Sequence, residues 1–295
     1  MYIALIGNSH FGSILTKQLN EYDANNSYRF YNTNENKLDK IKFALNLPFI
    51  DVVYSVSASI SGGGALNLAL RFNKKIVQHF IGSDVLSAQI DFKNKNINQK
   101  LIENSHYLCE VNWIQEELTE INISSEVKAL MVYERFLKPK LFEEFSVLTY
   151  MGKGKELFYG IEHFIKLAKD FPHIQFKIAG IESYANLPVN IRCLGWINMM
   201  DELQNSTVFI RNAKHDGLGF SIIEALSLGR VTFYNYDFPY VNYFEDYNDL
   251  KEQFCVCVES FNMGKLLIND EAIAYAKSLF NKERVLNELV EVLGK

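Results

Sequence analysis

The segment that decides the fold comprises residues 211–230, RNAKHDGLGFSIIEALSLGR. Residues 206–210, which precede it, are typical of the end of a β-strand. Apolar residues within 220–228 recur at helical spacing, and Gly229 provides a helix end. The segment is therefore predicted to be a strand, a loop and a helix in succession.

Glycines and carboxylates surround the start of this helix. Gly217 and Gly219 let a ligand approach the backbone closely, where free N–H groups and the helix dipole favour anionic or hydroxyl-rich groups. Asp216 precedes the helix, and Glu224 lies about one turn inside it. The pattern predicts a ligand site. In the structural alternative, Asp216 caps the helix and Glu224 favours its dipole.

The segment resembles the signature of family-four glycosyltransferases, enzymes of GT-B fold in which a carboxylate, seven residues and a Glu follow one another. The resemblance implies that Asp216 and the amides of Leu218 and Gly219 hold hydroxyls of a donor sugar. It also implies that Glu224 binds the ribose of the nucleotide. Most members have Glu in the first place. Arg211 at the strand end, followed by Asp-Gly in the loop, is similar to a variant among small bacterial members.

Length and patterning indicate two α/β domains. The chain has 295 residues, 48% of them hydrophobic and 22% charged, and short apolar runs alternate with helical patterns in both halves. The resemblance implies the GT-B arrangement of two Rossmann-like domains across a cleft. We expect an acceptor-side domain over 1–143 and a nucleotide-sugar domain over 144–280. A last helix, 281–295, is expected to cross back toward the first domain.

Charge and cysteine usage exclude several classes. The net charge is −5, and neither half is basic enough for a nucleic-acid binder. The cysteines form no zinc or disulfide pattern, and Cys255 and Cys257 alternate like one face of a strand. No apolar run approaches the length of a membrane span, and no basic leader opens the sequence. We expect a cytoplasmic protein.

Two lysines follow the first strand of the second half, in Gly152-Lys153-Gly154-Lys155. Family members carry cations near this position that hold the diphosphate of the donor. The resemblance therefore implies that either Lys153 or Lys155 binds the diphosphate as a point charge. The alternative is a solvated basic turn.

A nucleotide-base pocket is implied at two further strand ends of the second half. Gly180 follows one strand, and Trp196 and Ile197 follow another. In the resemblance, the backbone of Trp196 and Ile197 reads the edge of the base. Trp196 is equally explained as a residue that fills the core.

Site residues of the first half are indicated more weakly. A turn ending in Gly12 opens the first helix, so its amides are expected to face a phosphate. Its missing middle glycine argues against a nicotinamide site. His79 and Asp84 resemble residues that family members bring to the cleft. His79 is predicted to stabilise charge at the anomeric centre, and Asp84 to orient an acceptor hydroxyl. A structural His and a helix-capping Asp are the alternatives.

The predicted reaction is transfer of a hexose from a nucleoside diphosphate sugar, with UDP as the default, with retention and without a metal or cofactor. The acceptor is a saccharide, free or lipid-linked, as in bacterial surface polysaccharide or lipopolysaccharide synthesis. Lysines near Phe92, at 93, 95 and 100, suggest a peripheral contact with anionic lipid. The alternatives are an epimerase or hydrolase of the same fold, a nucleotide-sugar-binding protein without transfer, and a dinucleotide-dependent oxidoreductase.

Overall fold

The computed structural model describes residues 1–130 and 136–294, which form two compact units. The first unit comprises Met1–Glu134 with Phe280–Lys295, and the second comprises Arg135–Leu279. Within the described residues, each unit contains a six-stranded parallel sheet with helices between its strands. The prediction of two α/β domains is confirmed.

The first unit holds a sheet of strand order β2-β1-β3-β4-β5-β6. Its strands are β1 (Tyr2–Gly7), β2 (Ser27–Phe30), β3 (Val52–Val56), β4 (Lys75–Phe80), β5 (Ser105–Cys109) and β6 (Glu126–Val127). Its helices are α1 (Ser9–Tyr22), α2 (Lys37–Asn46), α3 (Gly64–Arg71), α4 (Asp84–Lys93), α5 (Gln99–Glu103) and α6 (Asn112–Glu120), and a 3-10 turn spans Leu47–Phe49. The strand order reverses between β1 and β3, which is where such sheets open a crevice at their carboxyl edge.

The second unit holds a sheet of strand order β12-β11-β10-β7-β8-β9. Its strands are β7 (Ser146–Tyr150), β8 (Gln175–Ala179), β9 (Ile191–Gly195), β10 (Val208–Arg211), β11 (Val231–Tyr234) and β12 (Asn242–Tyr243). Its helices are α7 (Ile161–Asp170), α8 (Met199–Gln204), α9 (Phe220–Ser227), α10 (Tyr247–Asn262) and α11 (Asp270–Leu279). Here the order reverses between β7 and β10.

Each sheet is buried because parallel strands have helices on both faces. All five residues of β3 are buried, as expected for a central parallel strand. In the second unit, Phe176 and Phe233 of the sheet contact Phe254 of α10, with ring centroids 6.2 and 6.1 Å apart. These contacts place one part of the core of the second unit between its sheet and α10.

The predicted strand at Cys255 and Cys257 is wrong, because both residues lie in α10. Spacing by two residues also fits a helix when the wider pattern has a period near 3.6. The buried residues of α10 show that period: Tyr247, Leu250, Phe254 and Cys257. All four cysteines of the chain are described, and all are free thiols.

The last helix, α12 (Lys282–Gly294), belongs to the first unit. The ammonium group of Lys75 donates to the carbonyls of Val292 and Leu293, both at 2.9 Å. A cation at the end of a helix satisfies carbonyls that have no partner within the helix. Lys128 forms an ion pair with Glu288 at 3.2 Å.

Predicted element boundaries differ from the structure at two informative places. A strand is predicted over 126–132, but β6 ends at Val127, and 131–132 lie outside the described residues. A helix is predicted from residue 157, but α7 begins at Ile161 because Gly160 takes a left-handed conformation with φ 69°. Among the helices described, none has the length and hydrophobicity to cross a membrane.

Gly7→Ala should lower the free energy of unfolding by roughly 2 kcal/mol or more. Gly7 has φ +100°, and a Cβ there would lie 2.0 Å from the carbonyl oxygen of Val56. Urea unfolding measures the loss. Gly64→Ala is the control, since a Cβ at Gly64 meets open space. Equal stability of the two variants would contradict the expected clash.

Candidate functional site

The candidate site of the second unit lies where the loops leave the carboxyl ends of β7 and β10. These adjacent strands form the reversal point of the sheet, the usual place for a ligand in an open parallel sheet. The loop after β7 spans residues 151–160, and the loop after β10 spans residues 212–219. The backbone N–H of Lys214 donates to the carbonyl of Phe158 at 2.8 Å, so the two loops are in direct contact.

A buried ion pair holds the loop after β10. The guanidinium of Arg211, the last residue of β10, donates from both Nε and Nη2 to the carboxylate of Asp216, with Nη2 2.7 Å from Oδ1. Both side chains are buried. Burial works against the charge on Arg211, but the carboxylate of Asp216 keeps its pKa above the ordinary value. The two hydrogen bonds of this pair therefore hold the two ends of residues 211–216 together at the base of the loop.

Two tyrosines hold Asp216, one through its carboxylate and one through its backbone. The hydroxyl of Tyr234, at the end of β11, donates to Oδ2 of Asp216 at 3.0 Å. The backbone N–H of Asp216 donates to the hydroxyl of Tyr236 at 3.1 Å. Burial, with Asp216 next, raises the pKa of Tyr234 well above its ordinary value, so the phenol stays protonated as a donor. In this structure the carboxylate of Asp216 is directed toward Arg211 and Tyr234.

The start of α9 is shaped by the same ion pair. Gly219 is the N-cap of α9, and a Cβ there would lie 2.7 Å from Nε of Arg211. Glycine therefore lets the helix start pack against the guanidinium. No side chain of the described residues caps α9, so the interpretation of Asp216 as a helix cap is wrong. Nη1 of Arg211 also donates to Oγ of Ser221, the second residue of α9, at 3.4 Å.

The other predicted residues of the signature lie around this start. Glu224 is half-buried in α9, one turn after the first helical residue. Gly217 and Leu218 are buried in the loop. The contact of the amides of 218 and 219 with a donor sugar stays a prediction.

The lysine-bearing turn lies at the end of β7. Lys153 and Lys155 are both exposed, and within the described residues neither side chain forms an ion pair or hydrogen bond. The ring of Tyr159 lies 5.3 Å from the guanidinium carbon of Arg211, which joins this loop to the ion pair. Two uncommitted ammonium groups therefore lie in the loop that contacts the signature loop.

The residues of the predicted base pocket follow the ends of β8 and β9. Gly180 has φ +94°, and a Cβ there would lie 2.3 Å from the carbonyl oxygen of Met151. Trp196 is 84% exposed, so the interpretation that it fills the core is wrong. Its ring lies edge-on to Tyr150, 6.4 Å between centroids. Ile197 follows it and is half-buried. An exposed indole at a strand end is available to a ligand.

His79 is fully buried, which contradicts its predicted contact with the donor sugar. It lies in the central strand β4, where Nδ1 is 2.7 Å from the hydroxyl of Tyr54. Burial lowers the pKa of His79 to about 3, so the ring is neutral. Of residues 1–130 and 136–294, none makes a hydrogen bond to Nε2. The structure supports the alternative of a structural histidine.

Asp84 and Gly12 also have structural roles in the first unit. The carboxylate of Asp84 accepts backbone N–H bonds from Ala58, at 2.9 Å, and from the turn before α4. Burial raises its pKa, while these amides act in the opposite direction. Gly12 lies inside α1, where its N–H bonds to Asn8 and a Cβ would lie 2.4 Å from Phe30. The predicted phosphate contact of Gly12 is therefore wrong.

The first unit contains a cavity that no pattern in the sequence predicts. It measures about 530 Å³ and opens at the ends of β1 and β3, the reversal point of that sheet. Serines, small residues and apolar side chains line it, and Lys40 adds a positive charge. Ser57-Ala58-Ser59 and the glycines at 62–64 form one wall. The opposite wall comes from α2, which contributes Lys40 and Phe43.

Comparison with solved structures establishes the fold. A glycosyltransferase from Rickettsia africae ESF-5 aligns with a TM-score of 0.71 at 14% identity, over 99% of this chain and 97% of that one. A sucrose-phosphate synthase from Thermosynechococcus elongatus aligns at 0.70 and 12% identity, over 99% and 98%. The pneumococcal O-GlcNAc transferase GtfA, in complex with UDP and GlcNAc, aligns at 0.61 and 14% identity, over 87% of this chain and 59% of that one.

The chain therefore has the two-domain α/β fold of GT-B glycosyltransferases. It spans little more than half the length of the pneumococcal enzyme. No family model matches the sequence, and no curated protein matches it.

Asp216→Ala should lower the free energy of unfolding by roughly 3–5 kcal/mol, because it leaves the guanidinium of Arg211 buried without its counter-charge. Denaturant unfolding measures the loss, and Asp237→Ala, an exposed carboxylate nearby, should cost about 0.5 kcal/mol or less. The double variant Arg211→Met/Asp216→Leu should lose less free energy of unfolding than the sum of the losses in Arg211→Met and in Asp216→Leu. Additive losses would show that the pair is not coupled.

Burial of the neutral His79 ring should make the free energy of unfolding decrease as the pH falls. The unfolded ring binds a proton below pH of about 6.5, whereas the folded ring stays neutral down to about 3. Full stability is present above about 6.5 and falls by about 1.4 kcal/mol per pH unit below it. Between about pH 7.5 and about pH 5, His79→Gln should therefore lose about 2 kcal/mol less than the wild type. His10→Gln, at an exposed site, should keep the wild-type pH dependence.

Proposed function

We propose that the chain is a retaining glycosyltransferase similar to family four, which moves a hexose from a UDP-sugar to a saccharide acceptor, free or lipid-linked. The observation that carries this proposal is the buried Arg211–Asp216 pair. The pair fixes the start of α9, which no side chain of the described residues caps. The loop after β7, which contacts the loop leading into this helix, carries Lys153 and Lys155, whose ammonium groups have no partner among the described residues. A role in bacterial surface polysaccharide or lipopolysaccharide synthesis, in the cytoplasm, is part of the proposal.

In the proposed complex, the second unit binds the donor. Glu224 accepts hydrogen bonds from the ribose hydroxyls. The backbone N–H groups at 217–219 donate to the sugar or to the phosphate next to it. Lys153 or Lys155 neutralises the diphosphate. Gly180, Trp196 and Ile197 surround the base. The likeness to a transferase solved with UDP and GlcNAc supports a uridine donor.

The structure changes the part that we assign to Asp216. Arg211 and Tyr234 both donate to its carboxylate, so its first task is to position the loop and α9. A shift of the loop would move the amides at 218 and 219 away from the donor, and small displacements of positioned groups reduce rates strongly. We therefore assign Asp216 as a positioning residue and Glu224 as a binding residue.

The proposed chemistry needs charge neutralisation more than it needs a side-chain base. As the bond between sugar and diphosphate breaks, negative charge grows on the leaving phosphate. A lysine and the amides at the start of α9 stabilise that charge. The oxygen of the acceptor hydroxyl attacks the anomeric carbon on the face from which the diphosphate leaves. The leaving phosphate takes the proton of that hydroxyl. The proposal includes no metal and no cofactor.

Dependence on an acceptor distinguishes the proposal from its alternatives. UDP-hexoses and UDP-N-acetylhexosamines are incubated with the purified chain, with and without a panel of saccharide acceptors, and released UDP is measured. We expect release that requires an acceptor, persists in EDTA, and gives a product of unchanged anomeric configuration by NMR. Release without an acceptor indicates a hydrolase, and interconversion of donors indicates an epimerase. Donor binding without turnover would leave a binding protein.

One of the two lysines should dominate donor binding. Lys153→Gln or Lys155→Gln is expected to weaken UDP binding about tenfold or more, because it removes a point charge from the diphosphate. Calorimetric titration of each variant measures the effect. Lys169→Gln, exposed at the end of α7, serves as the control. Unchanged affinity in both lysine variants and in their double variant would exclude this turn from the diphosphate site.

A further inference from the structure

An unpaired apolar face runs along α2 and the 3-10 turn that follows it. Its side chains recur at intervals of three and four residues, so they lie on one side of the helix. We call this set the outer stripe; its members are Leu38, Ile41, Leu45 and Phe49, and they are 65%, 57%, 71% and 74% exposed. Phe43 and Leu47 point the other way and are buried in the core of the first unit. The helix is thus packed by one face and leaves a second apolar face in solvent.

Basic side chains border the outer stripe. At 100° per residue, Lys37 and Lys42 project on its two sides, and both are exposed. The ammonium of Lys74 donates to the carbonyl of Pro48 at 3.2 Å, next to Phe49. The whole chain carries a net charge of −5, so this positive border is opposite in sign to the molecule.

Asp39 offsets part of the charge of Lys42, whereas Lys37 and Lys74 form no ion pair with any of the residues that the structure describes. Asp39 is the carboxylate of α2, and it accepts the backbone N–H of Asn32 at 3.1 Å. It also lies 3.9 Å from the ammonium of Lys42, at the side of the helix away from the stripe. Glu35, in the turn before α2, accepts from the side chain of Asn32.

We propose that the outer stripe docks the first unit on a membrane surface that contains anionic lipid. A lipid surface offers the two partners that this face needs: acyl chains for Leu38, Ile41, Leu45 and Phe49, and anionic headgroups for the lysines. A second copy of the chain fits less well. A symmetric contact through the stripe would bring like-charged lysines of the two copies together.

The docking surface differs from the one that the sequence indicated. At the sequence-predicted segment, Phe92 is half-buried and the following residues are mostly polar. The outer stripe lies on α2, whose inner side contributes Lys40 and Phe43 to the cavity of the first unit. A docked α2 would hold that cavity near the lipid surface, where a lipid-linked acceptor is available. This last link rests on the proposed function, whereas docking itself does not.

Vesicle flotation tests the docking. The purified full chain is mixed with vesicles of phosphatidylcholine alone or with added phosphatidylglycerol. We expect binding to the anionic vesicles that weakens in high salt. Leu38→Gln/Leu45→Gln should weaken binding about tenfold or more, and Lys37→Gln/Lys42→Gln should reduce both the binding and its salt dependence.

Matched controls separate docking from other effects. Leu141→Gln/Leu267→Gln alters two leucines of the second unit that are as exposed as those of the stripe, and should bind as the wild type does. Thermal melting checks that all variants are folded. The proposal is overturned if the wild type ignores anionic vesicles, or if the stripe variant binds as tightly as the control. A dimer that the stripe variant dissociates, without vesicle binding, would also overturn it. If the docking proposal fails while the wild type still binds UDP, the proposed function is unaffected.

Discussion

The bidentate contact between Arg211 and Asp216 is the interaction on which the candidate site depends. A buried guanidinium is costly without a carboxylate, and a buried carboxylate is costly without donors. Each group therefore fixes the other, and the five-residue separation forces the chain between them into a tight loop. Gly219 must be small because the guanidinium occupies the space of its side chain. The position of α9, and with it Glu224, follows from that contact.

The fold supplies the setting for this contact. In a parallel sheet, every strand delivers its loop to the same edge, and a reversal of strand order leaves a gap between neighbouring loops. Both sheets have such a reversal, between β1 and β3 and between β7 and β10. The cavity of the first unit and the ion pair of the second both lie at these points. The site features thus follow from topology as much as from individual residues.

Much of the fold was readable because buried parallel strands form short apolar runs. The apolar runs at 75–80, 146–150 and 231–234 predict strands with the same bounds as β4, β7 and β11. Side-chain environments were less accessible. His79 is the last but one residue of β4, and the sequence does not tell whether its ring faces solvent or the interior. Asp216 and Arg211 were placed in one segment, but their spacing does not reveal that they bind each other. The first-unit cavity joins loops that are far apart in sequence, and no local pattern reports such a meeting.

Calorimetric titration of UDP into the wild type and into Glu224→Gln tests the central claim most directly, because Glu224 is the residue proposed to bind the ribose. We predict that UDP binds the wild type and that the variant loses about tenfold or more in affinity. Glu245→Gln, exposed in the same unit, should bind as the wild type does. If UDP, GDP, ADP and CDP all fail to bind, or if Glu224→Gln binds UDP unchanged, the signature loop is not a nucleotide site and the account is contradicted.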